Sequence, residues 1–306
     1  MNHQELHLPA TMRVFERGWL SSNNVLFTGP ETALVDTGYV AHAPQTLALV
    51  RHALGDRKLD LIVNTHLHSD HCGGNALLQR EFGSRVLVPQ AESAAVAAWD
   101  EDALSFRKTG QSCERFSATG TLSPGDELEL GGMRWRALAA PGHFESLVFF
   151  CEREGIVISA DALWENGFGV IFPELDGEDG FADARATLQL IDSLDARIAI
   201  PGHGAPFGDV RAACARALAR VDYLAADPLR NAQNGVKVLL KFLLLERQRI
   251  PMDEVYAMFE NVPVLAGARR RFFAQDAKEL ADWVVYTLRR AGAARVEDGV
   301  LVNRDF

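Results

Sequence analysis

The chain has 306 residues, a hydrophobic content of 48% and a formal net charge of −10. This length allows one large domain, or a domain with a smaller one attached, around a real apolar core. The negative charge argues against a nucleic acid or an anionic membrane as partner, because phosphate binding relies on clustered Lys and Arg. We therefore expect a small-molecule partner.

The first two-thirds of the chain alternates predicted strands with predicted helices. Short apolar runs predict strands at 24–27, 32–35, 61–63, 85–88, 127–130, 133–138, 147–150, 156–159 and 198–200. Apolar residues at helical spacing predict helices at 40–54, 74–82, 91–108 and 181–193. Antiparallel hairpins that alternate with helices predict an α/β fold, a four-layer αββα sandwich of two sheets covered by helices.

The composition shifts after Gly208. Helical patterns cover 209–225, 236–245, a short segment from Pro251, and 275–290. Asp298-Gly299 then joins two short alternating strands, which is a hairpin signal. Helices followed by a hairpin indicate a small C-terminal winged-helix-like domain, so we predict domains at 1–208 and 209–306. The apolar stripe of 236–245 is expected to form the core of the small domain or the face of a homodimer.

The cysteines and the N-terminal residues of the sequence give information on the cellular compartment of the protein. The four cysteines are widely spaced and form no Cys-x-x-Cys pair, which favours reduced thiols over a disulfide framework. The first residues lack a basic segment followed by an apolar run, so no signal peptide is predicted. We expect a cytoplasmic protein.

Seven residues spread over half of the chain predict one dinuclear metal site. Each group follows an apolar, strand-like run, and strand ends deliver side chains to one edge of a sheet. Imidazoles and carboxylates are ligands that zinc and related ions accept. The seven are His66, His68, Asp70, His71, His143, Asp161 and His203.

Two metal ions held in this way give a hydrolytic centre. They lower the pKa of a bound water from ~15.7 toward ~7 and polarise a carbonyl or phosphoryl oxygen. Five histidines and two aspartates suffice for two divalent ions, with room left for water. Zinc is the expected ion, and iron or manganese would fit the same ligands.

The motif His-x-His-x-Asp-His, followed by a His, an Asp and a His on later strands, resembles that of the metallo-β-lactamase superfamily. The resemblance covers roughly residues 10–208. It implies that His66, His68 and His143 hold the first metal, and that Asp70, His71 and His203 hold the second, with Asp161 between them. It also implies a catalytic role for Asp70, which would orient the attacking water and return a proton to the leaving group. Asp36 matches an acidic position that supports the metal-binding loop.

Differences between this sequence and some branches of the superfamily indicate which branch it resembles most. True β-lactamases usually lack the bridging aspartate that is present here as Asp161, and the long insertion of the nucleic-acid-processing branch is absent between Asp161 and His203. The set of seven predicted metal ligands is most similar to that of the glyoxalase II and thioesterase-like branch. The C-terminal tail resembles instead that of a group of hydrolases, some of which cut single-stranded RNA.

We therefore expect a metal-dependent hydrolase of an ester-type bond, a thioester or another carboxylic ester. One alternative is a metal-dependent endoribonuclease, for which the dense basic run of Arg269, Arg270 and Arg271 would supply a local basic groove. Another is a non-catalytic, metal-binding regulatory protein.

Overall fold

The computed structural model describes residues 6–304, which form two central sheets, a small third sheet and twelve α-helices. The strands are β1 (Met12–Phe15), β2 (Asn24–Phe27), β3 (Ala33–Val35), β4 (Leu61–Val63), β5 (Arg85–Pro89), β6 (Gly120–Leu122), β7 (Glu127–Leu130), β8 (Met133–Ala139), β9 (Leu147–Cys151), β10 (Ile156–Ala160), β11 (Ile198–Pro201), β12 (Arg249–Pro251), β13 (Ala294–Glu297) and β14 (Val300–Asn303). The helices are α1 (Ala43–Leu54), α2 (Ser69–Cys72), α3 (Asn75–Phe82), α4 (Ser93–Ala98), α5 (Phe106–Thr109), α6 (Phe172–Asp176), α7 (Phe181–Ser193), α8 (Val210–Ala225), α9 (Pro228–Arg247), α10 (Met252–Asn261), α11 (Pro263–Phe272) and α12 (Ala277–Arg290). None of these helices is long and apolar enough to cross a membrane.

Three apolar cores separate four layers and confirm the predicted αββα sandwich. Alternation along β2 shows how: Val25 and Phe27 pack between the two sheets, whereas Leu26 packs under the helices of the first sheet. The second sheet faces the same central core through residues such as Trp135, and its outer face packs on α7 and α8. Both sheets are therefore buried on both faces.

The strand order brings several carboxyl ends to one edge of the sandwich. The first sheet has the order β1-β2-β3-β4-β5-β6, with β3 to β6 parallel. The second has the order β11-β10-β9-β8-β7, in which β8, β10 and β11 run in one direction and β9 in the other. Loops that follow β3, β4, β8, β10 and β11 can therefore meet, as ligand sites in open α/β sheets commonly do.

The helix predicted over 91–108 is wrong as a single element. A short 3₁₀ turn leads into α4, which ends at Ala98. Trp99 follows in the left-handed region (φ 53°), and α5 starts only after Ser105. The Trp99 indole packs against Phe106 and Phe116, with centroids 6.0 and 5.5 Å away. Packing of this aromatic group outweighs the helical propensity of the alanines before it.

The C-terminal region has the predicted helices and hairpin, with additions. β12 pairs with the hairpin to give the order β12-β14-β13, and α9 to α12 share one apolar core with it. The sequence signal missed α11 as a separate helix, which starts at Pro263 after the extended Val262. Aspartate caps begin α8, α9 and α12, the last with a full capping box of Asp276 and Glu279. The α8 helix packs on α7, within the sandwich.

Candidate metal centre

The structure gathers all seven predicted metal-site residues at the carboxyl edge of the two sheets. All seven are buried. They are His66 and His68 in the loop after β4, Asp70 and His71 in α2, His143 after β8, Asp161 after β10 and His203 after β11. They form a first cluster of His66, His68 and His143 and a second cluster of Asp70, His71, Asp161 and His203, and within each the potential ligand atoms lie within 4.8 Å of one another. Their roles as ligands stay predictions.

Three imidazole nitrogens converge in the first cluster. Nδ1 of His68 lies 3.1 Å from Nε2 of His66 and 2.9 Å from Nε2 of His143. Three nitrogens at such distances need a cation or protons between them. Three imidazoles are also a ligand set that zinc uses in catalytic sites.

Two carboxylates and two imidazoles form the second cluster. Nε2 of His203 lies 3.1 Å from Oδ2 of Asp70, and Nε2 of His71 lies 3.4 Å from Oδ1 of Asp161. This mixed set of nitrogen and oxygen atoms suits zinc, iron or manganese.

The Asp161 carboxylate spans the two clusters. Its Oδ2 lies 3.4 Å from Nε2 of His143 in the first cluster, while its Oδ1 faces His71 and His203 in the second. Ala160, directly before it, has φ 45°, a conformation that non-glycine residues rarely adopt. The backbone thus holds a strained turn at the point where this carboxylate is aimed between the clusters.

Hydrogen bonds behind the clusters fix which ring nitrogen carries a proton. Nδ1–H of His71 donates to Oδ2 of Asp36 at 2.8 Å, and Nδ1–H of His143 donates to the carbonyl of Val170 at 2.6 Å. The hydroxyl of Thr65 donates to Asp36 and lies 3.1 Å from Nδ1 of His66. Each of these rings therefore turns the lone pair of Nε2 toward the centre, as metal-binding histidines do.

The donor set fits two divalent metal ions. Nε2 of His71 is buried and has no hydrogen-bond partner in the described part of the chain. An unpartnered buried polar atom costs free energy. A cation between His71, Asp70 and Asp161 would satisfy it. In the first cluster, the three converging nitrogens would bind a cation in place of their contacts with one another.

The electrostatics of the two clusters differ. Burial, together with the neighbouring imidazoles, lowers the pKa of His66 well below its ordinary value and that of His68 to about 3. Burial also acts on His71, but Asp36, Asp161 and Asp70 outweigh it and raise the pKa of His71 well above its ordinary value. Burial opposes ionisation of Asp161, yet His71 and His203 hold its pKa well below its usual range. Without a metal ion, the imidazoles of the first cluster therefore favour the neutral form, whereas the carboxylates of the second favour a second proton on His71, at Nε2, which a metal ion would displace.

Sequence reasoning missed two residues of the centre. The Trp19 indole, 55% exposed, stacks on His203 with centroids 5.3 Å apart and planes at 13°. Gly202 leaves room for Asp161, since a Cβ there would collide with Oδ1 of that carboxylate. Gly202 directly precedes the predicted ligand His203, whereas nothing in the sequence links position 19 to the centre.

Cys72, which directly follows His71, points away from the clusters. Its Sγ lies 3.5 Å from the carbonyl oxygen of Leu67 and 3.8 Å from Sγ of Cys113. Cys72 belongs to neither cluster. The contact between two cysteines 41 positions apart was not predicted.

A cavity of about 460 Å³ opens onto the centre. Asp70, Asp161 and His203 line one side of it, together with Trp19 and Trp164. Trp164 also donates its Nε1–H to Oδ1 of Asp161 at 3.3 Å. A small molecule in this cavity would contact both clusters.

The fold and the centre define a family. The sequence profile of the metallo-beta-lactamase superfamily matches residues 17–203, and the chain belongs to this superfamily of metal-dependent hydrolases. Two solved structures share the fold. A metallo-beta-lactamase family protein from Thermus thermophilus aligns with a TM-score of 0.58 and 23% identity over 96% of this chain and 98% of that one. A metallo-beta-lactamase from Pontibacter korlensis aligns with a TM-score of 0.54 and 14% identity over 71% and 97%.

Curated relatives are of the glyoxalase II type. The hydroxyacylglutathione hydrolase of Brucella anthropi is 26% identical over 268 residues, which cover 84% of this chain and 87% of that protein. The hydroxyacylglutathione hydrolase of Brucella ovis is 29% identical over 181 residues, which cover 58% of this chain and 57% of that protein. The chain is thus similar to the glyoxalase II-like branch of the superfamily.

Proposed function

We propose that this protein is a dinuclear, zinc-dependent hydrolase of an ester-type bond, a thioester or another carboxylic ester of a small molecule. The observation that supports this most directly is the Asp161 carboxylate, with one oxygen toward each cluster. A carboxylate in this position can bridge two ions. An aspartate at this position also sets the chain apart from true β-lactamases, which usually lack it.

Individual residues of the centre would have different roles in such a hydrolysis. Two bound divalent ions would supply an acidified water molecule and polarise the carbonyl oxygen of the substrate. Asp70 lines the cavity and lies beside His203, where it would orient the attacking water and return a proton to the leaving group. Asp36 would keep the His71 ring in the orientation that the second metal requires.

The similar Brucella proteins are hydroxyacylglutathione hydrolases, and their substrate is a thioester. This similarity supports thioester hydrolysis by the present chain. The endoribonuclease alternative depends on Arg269, Arg270 and Arg271. These three lie in the last turn of α11, and none is among the described residues that line the cavity. Their position gives no direct support to an RNA path into the centre, so we rank the esterase first.

A panel assay on the zinc-loaded protein tests the proposal. The substrates are a set of acyl thioesters, a lactone, a cephalosporin and a short single-stranded RNA. We expect turnover of thioester or lactone that is lost with a chelator and restored by zinc. Cleavage of RNA alone would favour the endoribonuclease, and metal binding without any turnover would favour the regulatory alternative.

A further inference from the structure

The C-terminal helices form one wall of the cavity that opens onto the metal centre. Four residues of α9, one of α12 and the residue directly after α12 line it: Val238, Leu239, Phe242, Leu245, Leu288 and Ala291. The α9 residues span two helical turns, about 10 Å at 1.5 Å per residue. Val238 remains 43% exposed at the protein surface. The cavity is therefore an elongated apolar space that reaches from the metal ligands along α9.

Few charged groups are available to a substrate in this space. Asp70 and Asp161 are the carboxylates among the described lining residues, and both belong to the metal centre. The ammonium group of Lys241 donates to the carbonyl oxygens of Ala293 and Arg304, at 2.9 and 3.1 Å, so it is tied to the C-terminal strand. Lys237 is the other lysine of the wall. The described lining also includes four uncharged polar side chains, those of Thr109, Gln111, Asn234 and Thr287, but most of it away from the metal centre is apolar. A strongly polar substrate group would lose hydration against these apolar residues.

We propose that this cavity holds an apolar acyl chain, so that the substrate is a medium-chain acyl thioester or ester rather than a small hydroxyacyl compound. This inference rests on the proposed ester hydrolysis. The reacting carbonyl would lie at the metal centre, and the acyl chain would lie against Val238, Phe242 and Leu245. The C-terminal region thereby sets the acyl specificity of a centre that the sandwich builds.

A chain-length series tests this placement. Acetyl, hexanoyl and decanoyl thioesters of one leaving group are compared by kcat/KM. A hydroxyacyl thioester of the same leaving group serves as the polar substrate in this comparison. Burial of a methylene changes an equilibrium by about threefold to fourfold, so the decanoyl compound should exceed the acetyl compound at least tenfold. Equal values across the series, or a preference for the hydroxyacyl compound, would overturn the inference.

Two matched substitutions locate the chain. Val238 and Tyr286 are both exposed apolar residues of the C-terminal helices, 43% and 56% exposed, but only Val238 lines the cavity. Val238→Asp should lower the ratio of decanoyl to acetyl kcat/KM at least tenfold, because a carboxylate beside the chain would lose hydration. Tyr286→Asp should leave this ratio unchanged. Equal effects of the two substitutions would contradict the assignment.

Binding measured without turnover separates this inference from the proposed function. Decanoate and acetate are titrated calorimetrically into the purified protein, before and after chelator treatment. We expect decanoate to bind at least tenfold more tightly than acetate in both states, and Val238→Asp to remove the difference. Tight decanoate binding without ester turnover would refute the hydrolase and retain the acyl cavity. Ester turnover together with equal binding of decanoate and acetate would retain the hydrolase and refute the acyl cavity.

Discussion

Nδ1–H of His71 donates to Oδ2 of Asp36 across 2.8 Å, and both side chains are buried. The same carboxylate accepts a hydrogen bond from the amide of Thr65 at 2.9 Å, at the start of the loop that holds His66 and His68. Asp36 itself has φ 57°, in the left-handed region. One strained residue after β3 thus ties the ligand loop to a ring of the second cluster.

This relationship predicts the effect of Asp36→Asn. An amide group can donate to Nδ1 of His71, which would favour the ring tautomer with its proton on Nε2 and remove the lone pair from the cluster. We expect the affinity of the second metal to fall by about 10- to 100-fold, as is usual for changes behind a metal ligand. Zinc titration against a competing chelator measures it. Equal weakening of both metals, with native circular dichroism, would contradict a role specific to His71.

Metal content should depend on pH in two steps. Purified, chelator-free protein should hold close to two metal equivalents, since the ligands divide between two clusters. His71 has a raised pKa and holds a proton that the second metal must displace, whereas His66 and His68 have lowered pKa values and are neutral. As pH falls from 8 to 6, the second metal should weaken by up to about tenfold per pH unit while the first is retained. Elemental analysis after dialysis at each pH measures this, and simultaneous loss of both ions would contradict it.

Much of the candidate centre could be predicted from sequence because its predicted ligands follow strands. A bunched His-x-His-x-Asp-His and three later groups each stand at the end of an apolar run, and the parallel direction of β8, β10 and β11 then brings them together. The four layers followed from strand and helix periodicity in the same way. Local pattern and overall topology agree in these segments.

The rest depended on contacts between segments that carry no local signal. Trp19 stacks on His203 from a loop without a motif. Cys72 and Cys113 meet only because the chain after α5 folds back over α2. The break after α4 arises from aromatic packing of Trp99, which the alanine-rich sequence conceals. Each of these features is decided by tertiary packing rather than by spacing.

Gly202 offers a test of how closely the backbone approaches Asp161. A Cβ at this position would collide with Oδ1 of the carboxylate and approach the His71 ring to 3.1 Å. Gly202→Ala should displace Asp161, lower the metal content toward one equivalent and reduce turnover at least tenfold, in keeping with the 10- to 100-fold sensitivity of such surroundings. Gly204→Ala, where a Cβ would meet nothing within 4 Å, is the control. Because Gly204 has φ 87°, its change should affect stability but not metal content.

Asp70 and Cys72 separate catalysis from packing within one short helix. Asp70→Ala removes a predicted ligand and the predicted water-orienting group, so turnover should fall to background while circular dichroism stays native. Cys72→Ser alters a thiol that contacts Leu67 and Cys113 and points away from the clusters, so activity should stay within a few-fold. Steady-state assays on the preferred ester measure both. Comparable losses in the two variants would show the ligand assignment to be wrong.

The response to salt distinguishes the esterase from the endoribonuclease. RNA binding through Arg269, Arg270 and Arg271 would release counterions, so cleavage should weaken steeply between ~50 and ~200 mM salt. Hydrolysis of a small neutral ester has no such dependence. We expect ester or thioester turnover that changes little over this range and little in Arg270→Ala, because Arg270 lies in the last turn of α11, outside the described cavity lining. Efficient, salt-sensitive RNA cleavage that Arg270→Ala abolishes, without ester turnover, would reverse the ranking of the two functions.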